Sequence, residues 1–182
     1  MTRVIGGLAG GRRLVVPSGR GTRPTSERTR EGLFSTLEAL RGELAGARFL
    51  DLYAGSGAVG LEAASRGAST VLLVDVDASA VRAARSNIAA LALPGVEVRA
   101  QRVERLLAGP PSPFDVVFVD PPYSDPVDAV LEQLVRGEWL SDDGVVCVER
   151  ASRGSPPGWP DHLDSVRSRR YGEATLWYGR RS

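Results

Sequence analysis

Asp51-Leu-Tyr-Ala-Gly-Ser-Gly-Ala-Val-Gly60 sets a carboxylate four residues ahead of a glycine-rich turn and directly after the apolar pair Phe49-Leu50. Gly55, Gly57 and Gly60 satisfy Gly-x-Gly-x-x-Gly. That spacing lets a helix begin close to the strand before it and close to a ligand. Outward from this turn the chain alternates between two periodicities. Strands are expected near 47–52, 70–75, 96–100, 114–119 and 144–149, several of them continuous apolar runs such as Val71-Leu-Leu-Val74 and Val116-Val-Phe-Val119. Such runs belong to strands covered on both faces. Helices are expected near 58–66, 78–91 and 126–136, the second with Val81, Ala84, Ile88 and Leu91 on its apolar side, and a helical turn near 103–108. Alternating strand and helix predicts an α/β fold with a mostly parallel sheet.

The ends differ from this middle. Arg3-Val-Ile5 and Arg12-Arg-Leu-Val-Val16, joined by Gly6-Gly7 and Gly10-Gly11, read as a hairpin, and Gly19-Arg-Gly21 reads as a mobile loop. After Pro24, Thr25 or Ser26 can cap a helix in which Leu33, Phe34, Leu37 and Leu40 share a face. Ser165–Tyr171 and Glu173–Tyr178 alternate and meet at Gly172, a hairpin that closes the sheet. Residues 1–24 are therefore expected to be a basic hairpin extension and 25–182 the main domain.

With 182 residues, 42% of them hydrophobic, the chain suffices for one full core. The one cysteine, Cys147, lies inside Val145-Val-Cys-Val148 and reads as a small core residue, and His162 has no ligand-spaced partner, so no metal site is expected. No apolar stretch reaches the roughly 20 residues of a membrane span. Arg12-Arg13 is not followed by the apolar run of an export signal, and a cytoplasmic monomer is expected. Charge is unevenly placed. Residues 1–30 hold seven Arg and one Glu, and residues 31–163 hold 11 Arg and 19 acids. Residues 164–182 are again basic. Basic ends on an acidic body are the footprint of a polyanion partner.

Asp51, Asp75 and Asp120 each follow an apolar strand at its carboxyl end, the edge where open parallel sheets bind ligands. Asp75 lies where a dinucleotide fold would place its ribose acid. Asp51 argues otherwise, because a carboxylate at the strand's exit can meet the ammonium of a methionine moiety. A sulfonium ligand with an ammonium and a ribose diol would satisfy both. Asp120-Pro-Pro-Tyr123 adds the second half of the chemistry. A base amine is a poor nucleophile because its lone pair is delocalised into the ring. The Asp120 carboxylate and the Pro121 carbonyl, both accepting from the NH₂, would aim that lone pair at a methyl group. Tyr123 would stack on the base. The expected reaction is methyl transfer from S-adenosylmethionine to an exocyclic base nitrogen.

Together with the stretches Ile5-Gly-Gly-x₂-Gly-x-Arg-x-Leu14, Arg23-Pro-Thr-x₂-Arg-x-Arg-Glu31, Phe49–Glu62 and Val117–Tyr123, the chain resembles the bacterial RsmD-type methyltransferases, which methylate the exocyclic N2 of a guanine in small-subunit ribosomal RNA. The resemblance covers nearly the whole chain. It implies a Rossmann-like S-adenosylmethionine-dependent methyltransferase fold, with a seven-stranded, mostly parallel sheet and an N-terminal β-hairpin extension. It implies ribosomal RNA in the small subunit or its assembly intermediate as partner. By position, Asp51, Gly55 and Gly57, with Tyr53 and Ser56 of the same turn, would line the cofactor's amino-acid end, and Asp75 its ribose. Gln101 and Arg102 stand near the adenine, where related sequences often have Asp or Asn before a small residue. Asp120, Pro121 and Tyr123 would hold the guanine, and Arg12, Arg13, Arg23, Thr25, Arg28 and Arg30 would meet RNA. Competing readings are a DNA adenine-N6 methyltransferase, an NAD-dependent dehydrogenase and a non-catalytic RNA-binding assembly factor.

Overall fold

A short hairpin, β1 (Thr2–Arg3) with β2 (Arg13–Leu14), leads into helix α1 (Glu27–Arg41) in the computed structural model, which describes residues 2–18 and 25–182. The apolar runs then pair as a sheet of β3 (Arg48–Leu52), β4 (Thr70–Asp75), β5 (Val96–Ala100), β6 (Phe114–Val119), β7 (Leu140–Ala151), β8 (Leu163–Tyr171) and β9 (Ala174–Arg181). Across the sheet the order is β5-β4-β3-β6-β7-β9-β8. Strands β3 to β7 are parallel, and β9 runs antiparallel to both its neighbours. The chain leaves β3 toward β4 on one side and returns to β6 on the other. That reversal opens a crevice beyond the carboxyl ends of β3 and β6.

Helices cover both faces. On one, α1, α2 (Ala58–Ser65) and α3 (Ala78–Leu91) bury Leu33, Phe34, Leu37, Val59, Ala63 and Ala84 against Phe49, Val71, Leu73, Val116, Phe118, Val145 and Cys147. On the other, α4 (Val103–Leu107) and α5 (Asp128–Arg136) pack on Leu50, Leu52, Val74, Val117, Val119 and Val148. Leu40, expected beside Leu37, is only partly buried. The strand β7 begins earlier than its apolar run. Leu140 pairs with Phe114 ahead of a register shift, so the polar Ser141-Asp-Asp143 is carried within the strand.

Register fixes the functional edge. Leu52 is level with Val74 and Val119, and Val119 with Val148. The next residues, Tyr53, Asp75, Asp120 and Glu149, therefore emerge at one level of the sheet. Because strand side chains alternate, Asp51, Asp75, Asp120 and Glu149 all share the face of Leu73, Phe118 and Cys147.

The N-terminal segment is fastened to the domain. Glu62 of α2 has no exposed surface, and its carboxylate accepts from Ile5 N (2.8 Å), Gly6 N (2.9 Å) and Arg66 Nε (2.9 Å). Arg30 Nη1 reaches it at 3.4 Å, and Arg30 Nη2 donates to the Arg3 carbonyl at 2.7 Å. Ser65 Oγ accepts from Ala9 N, while Asn87 of α3 accepts from Val15 N and donates to Val15 O. Val4, Ala9 and Leu14 pack on Ala58, Leu61 and Leu91. Residues 2–18 are thus held against the domain through both their polar backbone groups and their apolar side chains. The loop expected at 19–21 lies outside the described residues. The expectation that Arg30 meets RNA is corrected. Its guanidinium is fully buried, and burial pulls its pKa down against the opposing pull of Glu62, so it is an internal strut unavailable to a phosphate.

Glu62→Gln removes the charge that compensates Arg30 inside the protein. The expected loss is about 3–5 kcal/mol in urea-induced unfolding. A loss below about 1 kcal/mol, the range of ordinary surface changes, would show that the pair does not fasten the segment.

Candidate active site

The turn after β3 is built around two carboxylates that accept from its backbone. Asp51 is 1% exposed, and its Oδ2 accepts from Gly60 N at 2.9 Å. Gly60 must lack a side chain, since a Cβ there would lie 2.2 Å from Leu73 Cδ2. Its absence lets the first turn of α2 settle on β3 and β4. Asp75 Oδ2 accepts from Gly55 N at 2.8 Å, and Oδ1 from Asp77 N at 2.9 Å. Gly55 sits at φ +58°, and a Cβ on it would meet nothing within 4 Å, so this stretch of backbone borders open space. The neighbouring Asp77 has a different duty, capping α3 by accepting from Ala80 N. Tyr53 also has positive φ (60°), a strained conformation for a residue with a side chain. Burial, with Glu104 and Asp125 nearby, pushes its hydroxyl pKa up to about 12. Ser56 is buried, and its carbonyl accepts from Asn87 Nδ2 at 3.0 Å. Through Asn87 the turn is tied to the N-terminal segment at Val15.

Asp120 ends β6 beside Asp51, and Pro121 is buried behind it. Arg150, just past Glu149 on β7, donates to the carbonyls of Pro122 (3.4 Å) and Tyr123 (3.0 Å) and so holds the Pro-Pro-Tyr turn. Tyr123 is 60% exposed. Glu149 is 7% exposed, and its Oε2 accepts from Thr25 Oγ1 at 3.0 Å. Ser26, not Thr25, caps α1, by accepting from Thr29 N. The hydroxyl expected to touch RNA is therefore directed at a buried carboxylate on the same sheet edge as Asp120.

Burial raises the pKa of these acids, and at Asp51 and Asp120 neighbouring carboxylates add to it. Burial pushes Asp51 up to about 7, against the Gly60 hydrogen bond, and Asp75 adds to the rise. Asp120 is raised well above the carboxylate range by burial first, then by Glu149 and Asp51, with Arg150 opposing. Burial raises Glu149 as well, and the bond from Thr25 opposes it. Such an edge favours a ligand that brings positive charge and hydrogen-bond donors.

Of the other expected cofactor residues, Gln101 N donates to Asp75 O at 3.1 Å, while Arg102 projects outward with Glu104 at 3.8 Å. Arg12, Arg13 and Arg28 are exposed, Arg12 Nη2 donating to Ala90 O, and Arg23 lies outside the described residues. The sequence reading passed over Glu149, Arg150 and Asn87. Glu149 had a signal: Val145-Val-Cys-Val-Glu149 repeats the pattern of Val71–Asp75 and Val116–Asp120, an apolar strand ending in an acid. A cleft of about 350 Å³ lined by Leu40, Asp115, Ser141, Gly144 and Arg180 lies at the opposite edge of the sheet, away from these groups. Among the described residues no three His, Cys, Asp or Glu side chains form a cluster that could hold a metal, and no helix is long and apolar enough to cross a membrane.

Sheet order and acid-tipped strands define a Rossmann-like methyltransferase fold. The family model described as Conserved hypothetical protein 95 matches residues 2–180, and the chain belongs to that family, the family of the RsmD-type proteins. Ribosomal RNA small subunit methyltransferase D of Escherichia coli (strain K12) is 35% identical over 169 residues, 90% of this chain and 84% of that protein. YlbH of Bacillus subtilis (strain 168) is 34% identical over 175 residues, covering 93% of this chain and 94% of its own length. The solved structure of YhhF of Escherichia coli matches with a TM-score of 0.88 at 32% identity, covering 99% of this chain and 97% of that one. The expected family and fold are borne out.

The Asp51 shift carries a pH consequence. Its carboxyl binds a proton up to about pH 7 in the ligand-free folded chain but only to about 3.8 at its ordinary value. The folded state holds the extra proton in that window. The contribution is therefore full below pH 3.8 and lost as pH rises toward 7. Asp51→Asn keeps an acceptor for Gly60 N without the charge. At pH 8 it should be more stable than the wild type by up to about 4 kcal/mol, and near pH 4 roughly equal. Urea unfolding at both values checks this, and parallel pH profiles for the two proteins would refute it.

Proposed function

We propose that the chain transfers a methyl group from S-adenosylmethionine to the exocyclic N2 of a guanine in small-subunit ribosomal RNA, within an assembling particle, acting in the cytoplasm as a monomer. One observation carries the reading: Asp120, followed by Pro-Pro-Tyr, stands on the strand next to the acid-and-glycine turn that begins at Asp51. Relatives that bear the name ribosomal RNA small subunit methyltransferase D support the RNA substrate and set the hydride-transfer reading aside.

The residues fit the proposed donor. Asp51 would hold its ammonium, relieving a carboxylate that burial keeps from ionising. Asp75 has lone pairs left after its two backbone contacts and would accept the ribose hydroxyls. The open backbone at Gly55, with Tyr53, Ser56 and Gly57, would border its amino-acid end, and Gln101 and Arg102 its adenine. When bound, the donor supplies an electrophilic methyl group and a neutral thioether leaving group.

Asp120 and the Pro121 carbonyl accept the two N–H bonds of the target amine, so its lone pair points away from the ring. That pair forms the N–C bond as the C–S bond breaks and its electrons pass to sulfur. The nitrogen, then positive, returns to neutrality by passing a proton to the Asp120 carboxylate that already accepts its N–H, and Asp120 releases it to water. Arg150 keeps the turn in place through its carbonyl contacts, and Tyr123 stacks on the base after it has left its helix. Arg12, Arg13, Arg23 and Arg28 would meet phosphates around the site, with Thr25 at its inner margin.

Tritiated methyl transfer to small-subunit particles from a bacterium lacking its own enzyme, followed by nucleoside analysis, tests the reading. N2-methylguanosine is the expected product, and methylated adenosine or no product would refute it. Asp120→Ala should lower kcat roughly 10²-fold with donor affinity nearly intact by calorimetry, since the contact is made on the reacting amine. Tyr123→Phe should be mild and Tyr123→Ala severe. Equal losses from the two Tyr123 variants would end the stacking assignment.

A further inference from the structure

The edge that holds the target amine contains one buried acid that the transfer step does not use. Glu149 follows Val148 as Asp120 follows Val119, and those valines are register partners. The two acids thus leave neighbouring strands at one level, strands set about 4.8 Å apart. They share a sheet face, and after burial itself the Glu149 carboxylate is the largest influence raising the pKa of Asp120. Glu149 is 7% exposed, an unusual position for an acid that has no ion-pair partner among the described residues. Its salt-bridge-capable neighbour on the chain, Arg150, is turned to the carbonyls of Pro122 and Tyr123. Thr25 donates to Oε2, a contact that opposes the rise burial causes and holds the carboxylate as an acceptor, and it leaves Oε1 outside that bond.

Base chemistry says what a second acceptor beside the amine selects. Guanine presents an N1–H donor next to its amine. Adenine and cytosine each present a bare ring nitrogen, an acceptor, next to theirs. An acceptor placed beside the amine clamp pairs with guanine and repels the other two. We propose that Glu149 is a specificity-determining residue that accepts the N1–H of the target guanine while Asp120 accepts its amine, and that Thr25 is a positioning residue that orients Glu149. This rests on the guanine reading given above and adds to it the means of choosing guanine.

The test compares two substrates on each enzyme preparation, so that any unfolded fraction cancels in the ratio. Small-subunit particles are reconstituted with guanine or with 2-aminopurine at the position the wild type methylates. The analogue keeps the 2-amine but has a bare N1. The wild type should favour guanine in kcat/KM by about tenfold or more, the range set by leaving buried polar groups unpaired. Glu149→Gln can offer an N–H to the bare N1, and should lower guanine methylation while sparing or raising that of 2-aminopurine, so the preference falls by about tenfold or more. Thr25→Val should shift the ratio the same way, less strongly. A Glu149→Gln enzyme that slows both substrates equally, or keeps the wild-type ratio, overturns the assignment while leaving the guanine reading intact. A wild type that makes no N2-methylguanosine overturns both.

Discussion

A single buried negative charge, that of Glu62, organises the N-terminal third of the molecule. An acid with no exposed surface is stable only if donors surround it. Here they come from two backbone amides of the N-terminal segment, a buried arginine on α1 and Arg66 on its own helix. Arg66 also lies over the Phe34 ring at 5.0 Å. The consequence reaches the active site. Once Arg30 is drawn inward, the start of α1 is fixed, Ser26 caps it, and Thr25 is delivered to Glu149. The segment that sequence alone presents as a basic appendage is joined to the acid-tipped edge of the sheet by one electrostatic requirement.

At that edge the opposite condition holds. Asp51, Asp120 and Glu149 are low in exposure and short of cations among the described residues, and burial first, with neighbouring carboxylates adding to it at Asp51 and Asp120, pushes protons onto them. Glu62 is satisfied by the protein. These groups are set where a ligand's ammonium, ribose hydroxyls and base N–H groups would satisfy them. The protein can carry the strain because apolar strands on both faces hold the sheet and fix the level at which each acid emerges.

The glycines and prolines act on the same geometry. Gly60 allows α2 to approach until its amide reaches Asp51, and the turn between them includes a tyrosine at positive φ. The Pro-Pro-Tyr turn on β6 is stiff by composition, yet its placement depends on Arg150 from another strand. Rigidity is local, and aim is tertiary.

Most of the architecture was legible along the chain. The runs at Val71 and Val116 admit no reading but buried strands, the glycine turn is a local signal, and the closing hairpin shows in its alternation around Gly172. The motif acids Asp51, Asp75 and Asp120 were legible for the same reason, since each sits at the end of such a run. What the sequence did not decide is which charged residues face inward. Arg28 and Arg30 are two positions apart on one helix, one exposed and one wholly buried. Thr25 and Ser26 offer the same hydroxyl to two different tasks. Glu149 joins the site only through strand register, and its partner Thr25 is 124 residues away. Local periodicity is carried by neighbours in sequence, so it can be read there. The fate of a charge is settled by how completely it is desolvated and by which donor meets it, and both exist only once distant segments have packed.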